Sequence, residues 1–261
     1  MSLPVHLVES LTDASPGSLV EVTGDEAHHA VAVRRLREGE QVVLTDGQGT
    51  AVTGSVASTG KRVFAVTVES VSHDERPAPA ITVVQALPKG ERGELAVEVL
   101  TEVGVDRIVP WAASRSVAVW KGERAAKSHA KWQATALEAA KQSRRSWLPT
   151  VTPLASTADL ASVVEEADLA VVLHEDATDP LSAVDVPTSG RIVVVVGPEG
   201  GISPEELDAL TAAGARSVRL GAEVLRTSTA GVVAVAALLS RTDRWRWSTT
   251  GLARAQGDRQ P

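Results

Sequence analysis

Three short segments carry most of the groups that could do chemistry. Leu173-His174-Glu175-Asp176 sets an imidazole beside two carboxylates. Gly197-Pro198-Glu199-Gly200-Gly201 packs glycines, a proline and an acid into five residues. Leu220 to Ala230 (LGAEVLRTSTA) brings one arginine and three hydroxyls, then runs into an apolar stretch. Glycine lets backbone N–H and C=O groups come close to a ligand. A GPEGG loop can therefore hold an adenine or a ribose by main-chain hydrogen bonds, and it can equally be an ordinary strand-to-helix turn. The third segment weighs against a plain turn, because ordinary connections are shorter.

Other chemistries lack their residues. The chain has no cysteine, which removes disulfides, thiolate catalysis and Cys-ligated zinc. It has no GxGxxG, HExxH or GxSxG. Gly60-Lys61 resembles the end of a phosphate loop, but Ser55 stands where the first Gly belongs and Arg62 where Ser/Thr belongs. Three adjacent residues at a strand end do not converge on one ion, so His174-Glu175-Asp176 predicts no metal.

The elements that must position these segments follow from periodicity. From Ala80 onward, apolar β-branched runs alternate with helical patterns. Strands are predicted at 81–87, 107–111, 168–173, 191–196 and 217–220. Helices are predicted at 91–103, 123–146, 159–166, 203–213 and 229–242. On the first of these helices, Leu95, Ala96, Val99, Leu100 and Val103 form the expected buried face. Ser203, Pro204 and Glu206 form a capping-box start. Such alternation implies a mostly parallel α/β sheet. Ligands of such sheets bind at the carboxyl ends of strands, and each of the three segments directly follows one. Residues 1–72 instead read as a small β-rich module, with strands near 18–22, 41–44, 51–56 and 62–71. One helix, 25–37, interrupts it, with Asp25 as its cap. Residues 73–79 (HDERPAP) read as a linker. Residues 80–247 form the second domain, and the polar tail 248–261 is expected to be disordered.

The chain has 261 residues, 43% of them hydrophobic and 3% aromatic, so its core is built from Val, Leu, Ile and Ala. Met1 to Ser10 shows no signal peptide, and no apolar run approaches the roughly 18 residues of a membrane span. A soluble, cytoplasmic protein without a membrane partner is expected. The net charge is −7, yet from Lys121 to Trp147 seven Lys/Arg face two acids, a local +5. That stretch is either a solvated helix face or a nucleic-acid contact.

GPEGGIS followed by LGAEVLRTSTA resembles the RsmE-type family of small-subunit ribosomal RNA uridine-N3 methyltransferases. QALPKGERGELAVEVLTEVGVDRIVP, EAAKQSRRSWLPTV and DEAHHAVAVRRLREGEQVVLTDGQG resemble the same family, so the likeness spans roughly residues 20–247. The resemblance implies an α/β SPOUT-type parallel sheet with a C-terminal trefoil knot, preceded by a small PUA-like β-barrel. It implies S-adenosylmethionine as cofactor, 16S ribosomal RNA or the small ribosomal subunit as partner, and a homodimer. Cofactor contacts then fall to Leu173, His174, Glu175, Gly197, Pro198, Glu199, Gly200, Gly201, Leu220, Gly221, Leu225, Arg226, Thr227, Ser228, Thr229 and Ala230. Thr227, Ser228 and Thr229 are equally expected to cap the last helix. Arg226 is the candidate catalytic cation, with a structural ion pair to Glu199 as the alternative, and Glu199 is an orienting group or a base. RNA contacts fall to Arg34, Arg35, Lys89, Arg92, Arg115, Gln142, Arg144 and Arg145. Ser114 stands where the family often has an acid. His28 and His29 are expected to pack their helix, and Trp132 and Trp147 to anchor the core. Two other readings remain: the same chemistry on another RNA, such as a ribose hydroxyl of transfer RNA, or a non-catalytic RNA-binding assembly factor.

Overall fold

Alternating strands with glycine-bearing turns pair locally, and β-branched runs flanked by helices pair through crossovers. Both patterns occur in the computed structural model, which describes residues 3–245. The expected tail at 248–261 lies outside the described residues. The chain divides into two compact units, residues 1–76 with 133–150, and residues 77–132 with 151–261.

The first unit contains β1 (Val5–Leu7), β2 (Leu19–Thr23), α1 (Gly24–His28), β3 (Gln41–Thr45), β4 (Thr50–Thr59) and β5 (Val63–His73). They form a five-stranded sheet in the order β1-β3-β4-β5-β2, antiparallel except for β1 on β3. Val42, Leu44, Val52, Phe64 and Val66 are fully buried beneath it. Gly54 sits where a Cβ would collide with the Thr67 carbonyl, so β4 and β5 pair closely there. Residues 133–150 join this unit through specific bonds. The Gly49 N–H donates to Ser146 O at 2.8 Å and the Leu148 N–H to Gly47 O at 2.9 Å. Trp147 Nε1 donates to Asp74 O at 2.9 Å, so the start of the expected linker is tied down.

Three local expectations change in this unit. The helix predicted over 25–37 is α1 followed by a π-helical turn, His29–Val33. Its N-cap is Thr23, with no side-chain cap bond, and Asp25 pairs with Arg62 instead. His28 and His29 are exposed, because the buried positions of this segment are Ala27 and Ala30.

The second unit contains β6 (Ala80–Ala86), α2 (Arg92–Glu102), β7 (Arg107–Trp111), β8 (Thr150–Val151), α4 (Leu160–Glu165), β9 (Leu169–Leu173), β10 (Arg191–Val196), α5 (Pro204–Ala212), β11 (Arg216–Val218) and α6 (Thr227–Leu239). The long helix α3 (Glu123–Gln142) starts in this unit. The sheet order is β11-β9-β10-β6-β7-β8. The pairings of β11 with β9, β9 with β10, β10 with β6 and β6 with β7 are all parallel. Val84, Val109, Val172, Val193 and Val195 pack with Leu160 and Val164 of α4 and Leu210 of α5 on one face. On the other face a Cβ at Gly231 of α6 would lie 3.2 Å from Leu100 of α2, 3.3 Å from Val196 and 3.6 Å from Val83. Helices on both faces explain why these strands read as continuous apolar runs.

The buried face of α2 is Ala96, Val97, Leu100 and Thr101, and Leu95 is 44% exposed. The observed face is thus rotated from the expected one, because Gly93 and not Leu95 lies against the Trp132 indole. Trp132 is 3% exposed and meets Trp120 edge-on at 5.0 Å, a core anchor as expected. A buried pair fixes the end of the unit: Arg244 Nη1 donates to Asp106 Oδ2 at 2.8 Å and Nη2 to Gly104 O at 2.7 Å. Among the described residues, no helix is long and apolar enough to cross a membrane.

Candidate functional site

Parallel strands place their following loops on one rim. β9, β10 and β11 run parallel, so residues 173–176, 197–203 and 219–226 meet at their carboxyl ends. β6 adds the loop 87–91 beside them. β6 and β10 are neighbours, and the helices after them, α2 and α5, cover opposite faces of the sheet. Ligand crevices open at such a switch point. Here Glu199 Oε1 accepts the Lys89 N–H at 3.1 Å and links the two loops.

A cavity of about 380 Å³ opens at this rim. Leu173, His174 and Glu175 line it, as do Gly197, Pro198, Glu199 and Gly201. Leu220, Gly221, Leu225, Arg226, Thr227 and Ala230 complete the expected part of the lining. Gly200, Ser228 and Thr229 lie outside the lining. Val196, Ile202, Arg219 and the run Ala222-Glu223-Val224 also line the cavity, beyond the expected contacts. Periodicity gives no sign that Ile202 or the 222–224 run faces a ligand, since both lie outside regular helix and strand. Arg92 also lines the cavity.

Each loop has a local cause. The Gly201 N–H donates to Pro198 O at 2.9 Å, which closes a turn with Gly201 at φ +76°. Pro204 starts α5 behind it, and Ser203 and Glu206 make the expected capping box. The last helix begins at Thr227, two residues before the prediction, with Arg226 as its N-cap. Thr227 and Ser228 are buried in its first turn, where the Arg226 carbonyl accepts from the Thr229 and Ala230 N–H groups at 2.8 and 2.9 Å. Gln85, fully buried on β6, donates its Nε2 to Thr227 O at 3.2 Å and so ties this helix start to the sheet. Residues 220–225 form no helix or strand, and among the described residues none of their N–H groups donates to a protein acceptor. Glycine backbone and free donors, together with apolar Val196 and Ile202, suit a nucleoside-sized ligand.

Arg226 is exposed and makes no ion pair among the described residues. The alternative pairing with Glu199 is thus not formed. Groups of three or more His, Cys, Asp or Glu able to hold a metal are absent among the described residues.

Arg115 follows β7, and its backbone lies against the GPEGG loop. A Cβ on Gly200 would stand 2.8 Å from Arg115 O and 3.0 Å from Arg115 Cβ. Glu206 fixes this contact. Its carboxylate accepts the Ser114 N–H at 2.7 Å, the Ser114 hydroxyl at 2.9 Å, the Thr157 hydroxyl at 3.1 Å and the Ser203 N–H at 3.1 Å. Burial alone would raise its pKa, but these donors together hold it below the ordinary carboxylate range. Ser114 thus supplies two donors to an acid from α5. A depressed folded pKa stabilises the fold above the ordinary carboxylate range, and that contribution is lost as pH falls through the folded value. Glu206→Gln should therefore cost about 1–3 kcal/mol near neutrality, since its amide must face donors. Its stability should also vary less with pH at the acid end, as melting curves from pH 3 to 7 would read.

The RNA candidates fall into two groups. Lys89, Arg92 and Arg115 belong to the rim of the second unit. Arg34, Arg35, Gln142, Arg144 and Arg145 belong to the first unit. There Arg145 Nε donates to Trp147 O at 3.0 Å, and Arg76 lies over the half-buried Trp147 ring at 5.5 Å.

Residues 74–239 match a model for an RNA methyltransferase domain, and residues 22–69 one for an RNA methyltransferase PUA domain. The chain is 46% identical over 242 residues to the ribosomal RNA small subunit methyltransferase E of Mycobacterium bovis, covering 91% of this chain and 92% of that one. It is 30% identical to the protein of the same name from Bacillus subtilis, covering 85% and 90%. The crystal structure of a ribosomal RNA small subunit methyltransferase E from Neisseria gonorrhoeae bound to S-adenosyl methionine is similar, with a TM-score of 0.82 and 28% identity. That match covers 92% of this chain and 98% of the other.

Proposed function

The chain belongs to the RNA methyltransferase family that includes the ribosomal RNA small subunit methyltransferase E proteins, and we propose that it methylates N3 of one uridine in 16S ribosomal RNA, using S-adenosylmethionine. The observation that carries this reading is the rim cavity, where GPEGG, 220–226 and Arg226 converge.

Free donors of 220–225 and the open backbone at Gly197 and Gly201 fit the polar edges of a nucleoside, and Val196 and Ile202 fit its flat faces. Bound there, the cofactor supplies a methyl group already activated by its sulfonium. The chain's residues must align the acceptor and exclude water. Uridine N3 lies on the pairing edge, so the target base must be unpaired or flipped out to enter. When N3 gives up its proton to solvent at the cavity mouth, the negative charge left behind spreads to the base carbonyls. Arg226, fixed at the helix start and without an acidic partner, places a cation at the cavity where that charge develops. Glu199, held by the Lys89 N–H, orients the acceptor side. Lys89, Arg92 and Arg115 meet phosphates at the rim, as do Arg34, Arg35, Gln142, Arg144 and Arg145 in the first unit, so affinity falls with salt. The same reading gives the C-terminal segments a trefoil knot and places the protein in the cytoplasm.

The active species in this reading is a homodimer. Leu95 on α2 and Val233 on α6 are 44% and 43% exposed, and these helices pack together. A second copy covering these exposed apolar side chains would give a dimer by sedimentation. A monomer at micromolar concentration speaks against it.

The test supplies labelled S-adenosylmethionine with small ribosomal subunits or transfer RNA. Label in 16S ribosomal RNA is expected. Label in transfer RNA alone means a different target, and RNA binding without label means an assembly factor.

A further inference from the structure

A second cavity, of about 390 Å³, lies wholly within the first unit. It opens where two helical segments end, the π-helical turn after α1 and the C-terminus of α3. Each end closes with a backbone bond that reaches back over the last turn, six residues in the first and five in the second. The Leu36 N–H returns to Ala30 O at 3.0 Å, and the Arg145 N–H to Ala140 O at 2.9 Å. This closure needs a left-handed residue just before the donor, which is Arg35 at φ 59° and Arg144 at φ 56°. Glycine takes that position freely and arginine does not. These are the two non-glycine residues with positive φ among the described residues. Arg144 lines the cavity and Arg35 stands between its lining residues Arg34 and Leu36, so the strain at Arg144 argues that its side chain serves a ligand.

The lining shows what kind of ligand. Glu26, His6 and Lys141 form a half-buried to buried floor. Lys141 Nζ lies 2.9 Å from Glu26 Oε2, and His6 Nδ1 lies 3.0 Å from Glu26 Oε1. Burial would raise the Glu26 pKa, but bonds to His6 and Lys141 hold it below the ordinary range. His6 is 4% exposed, and its Nε2 has no partner. Lys141 is already ion-paired with Glu26, and its Nζ also lies 3.4 Å from Glu138 Oε1. Glu40 and His29 are exposed lining residues. Arg34 and Arg144 also line the cavity, beside Gln142, and neither makes an ion pair among the described residues. Two free guanidinium forks suit a phosphate. A floor offering both donors and acceptors suits a nucleoside rather than a bare anion.

We propose that this cavity binds one nucleotide of the RNA substrate other than the one methylated. Its phosphate lies between Arg34 and Arg144, and its nucleoside rests on the His6–Glu26–Lys141 floor. The proposal rests on the reading that the chain acts on RNA. Its ligand chemistry, a nucleoside phosphate, is shared by RNA and by free nucleotides.

The decisive variant is Arg144→Gly, which removes the strain and the guanidinium together. The full chain would be titrated with a short single-stranded oligoribonucleotide, with uridine monophosphate and with S-adenosylmethionine, and melted. The expected result is an unchanged or raised melting temperature and oligonucleotide binding weaker by roughly tenfold, with a salt slope smaller by about one. S-adenosylmethionine affinity stays as in the wild type. Arg144→Lys, which keeps the charge and the strain, should recover part of the oligonucleotide affinity. Unchanged oligonucleotide binding overturns the proposal. So does a fall in both melting temperature and affinity, which would make Arg144 a structural residue. Tight binding of uridine monophosphate with no preference for the oligonucleotide would assign the cavity to a free nucleotide and overturn the RNA assignment. Failure of the methylation reading is separate, since it shows as no label transfer whatever Arg144 does.

Discussion

Arg226→Ala should lower kcat for RNA methylation by roughly 10²–10³ while S-adenosylmethionine affinity changes little. That range is typical for removing one fixed group that stabilises charge in a transition state. Arg226 is the N-cap of α6 through its backbone, and its carbonyl bonds to Thr229 and Ala230 do not involve the side chain. Alanine therefore keeps the helix start and the cavity wall. The guanidinium is exposed and makes no ion pair among the described residues, so its removal strands no buried acid. The readout is the split between kcat and cofactor affinity, by single-turnover methyl transfer and by calorimetry. Equal losses in both would make Arg226 a cofactor ligand. No loss in either would remove it from the mechanism.

Gly200→Val should nearly abolish activity, by roughly 10²-fold or more, for a different reason. Gly200 lies outside the cavity lining, yet its missing Cβ is where Arg115 sits. A Cβ there would meet backbone oxygen at 2.8 Å, and backbone cannot swing aside as a side-chain tip would. Either the 113–116 turn or the GPEGG loop must move. Glu206 resists the first through its four donors, so the GPEGG loop gives way. A displacement of about 1 Å at a positioning loop can cost about 10²-fold in rate. Both cofactor affinity and activity should fall, whereas oligoribonucleotide binding by the first unit should persist. Wild-type turnover in the Gly200→Val protein would show that the loop is not a positioning element.

Much of this arrangement was legible in the sequence, because regular elements announce themselves. The runs at 81–87, 107–111 and 191–196 are β-branched enough to give their strands within a residue. Ser203-Pro204 with Glu206 gave α5 its cap. The rim followed from topology alone, since parallel strands put their loops at one end. What periodicity missed was irregular or tertiary. The exposed His28 and His29 lie in a turn that switches from α to π winding, so helical spacing no longer tells inside from outside. Leu95 points outward because Gly93 makes room for the Trp132 indole, a contact between residues far apart in the chain. Glu206 read only as a capping residue, and its hold on Ser114 spans 92 residues. The split of the basic stretch near residue 133 was equally hidden. It depends on Lys141 reaching Glu26 and on the 146–148 strand-like contacts with Gly47 and Gly49. Composition recorded the charge there without its partners.

In the proposed reaction the rim cavity directs a methyl group to one uridine N3 of small-subunit ribosomal RNA. The most direct measurement incubates the purified protein with S-adenosylmethionine and small subunits from a strain lacking it, then maps new methyl groups by mass spectrometry. The expected product is a single N3-methyluridine in 16S ribosomal RNA, absent with Arg226→Ala. A methyl group on a ribose, on another base or on transfer RNA, or none at all, would contradict it.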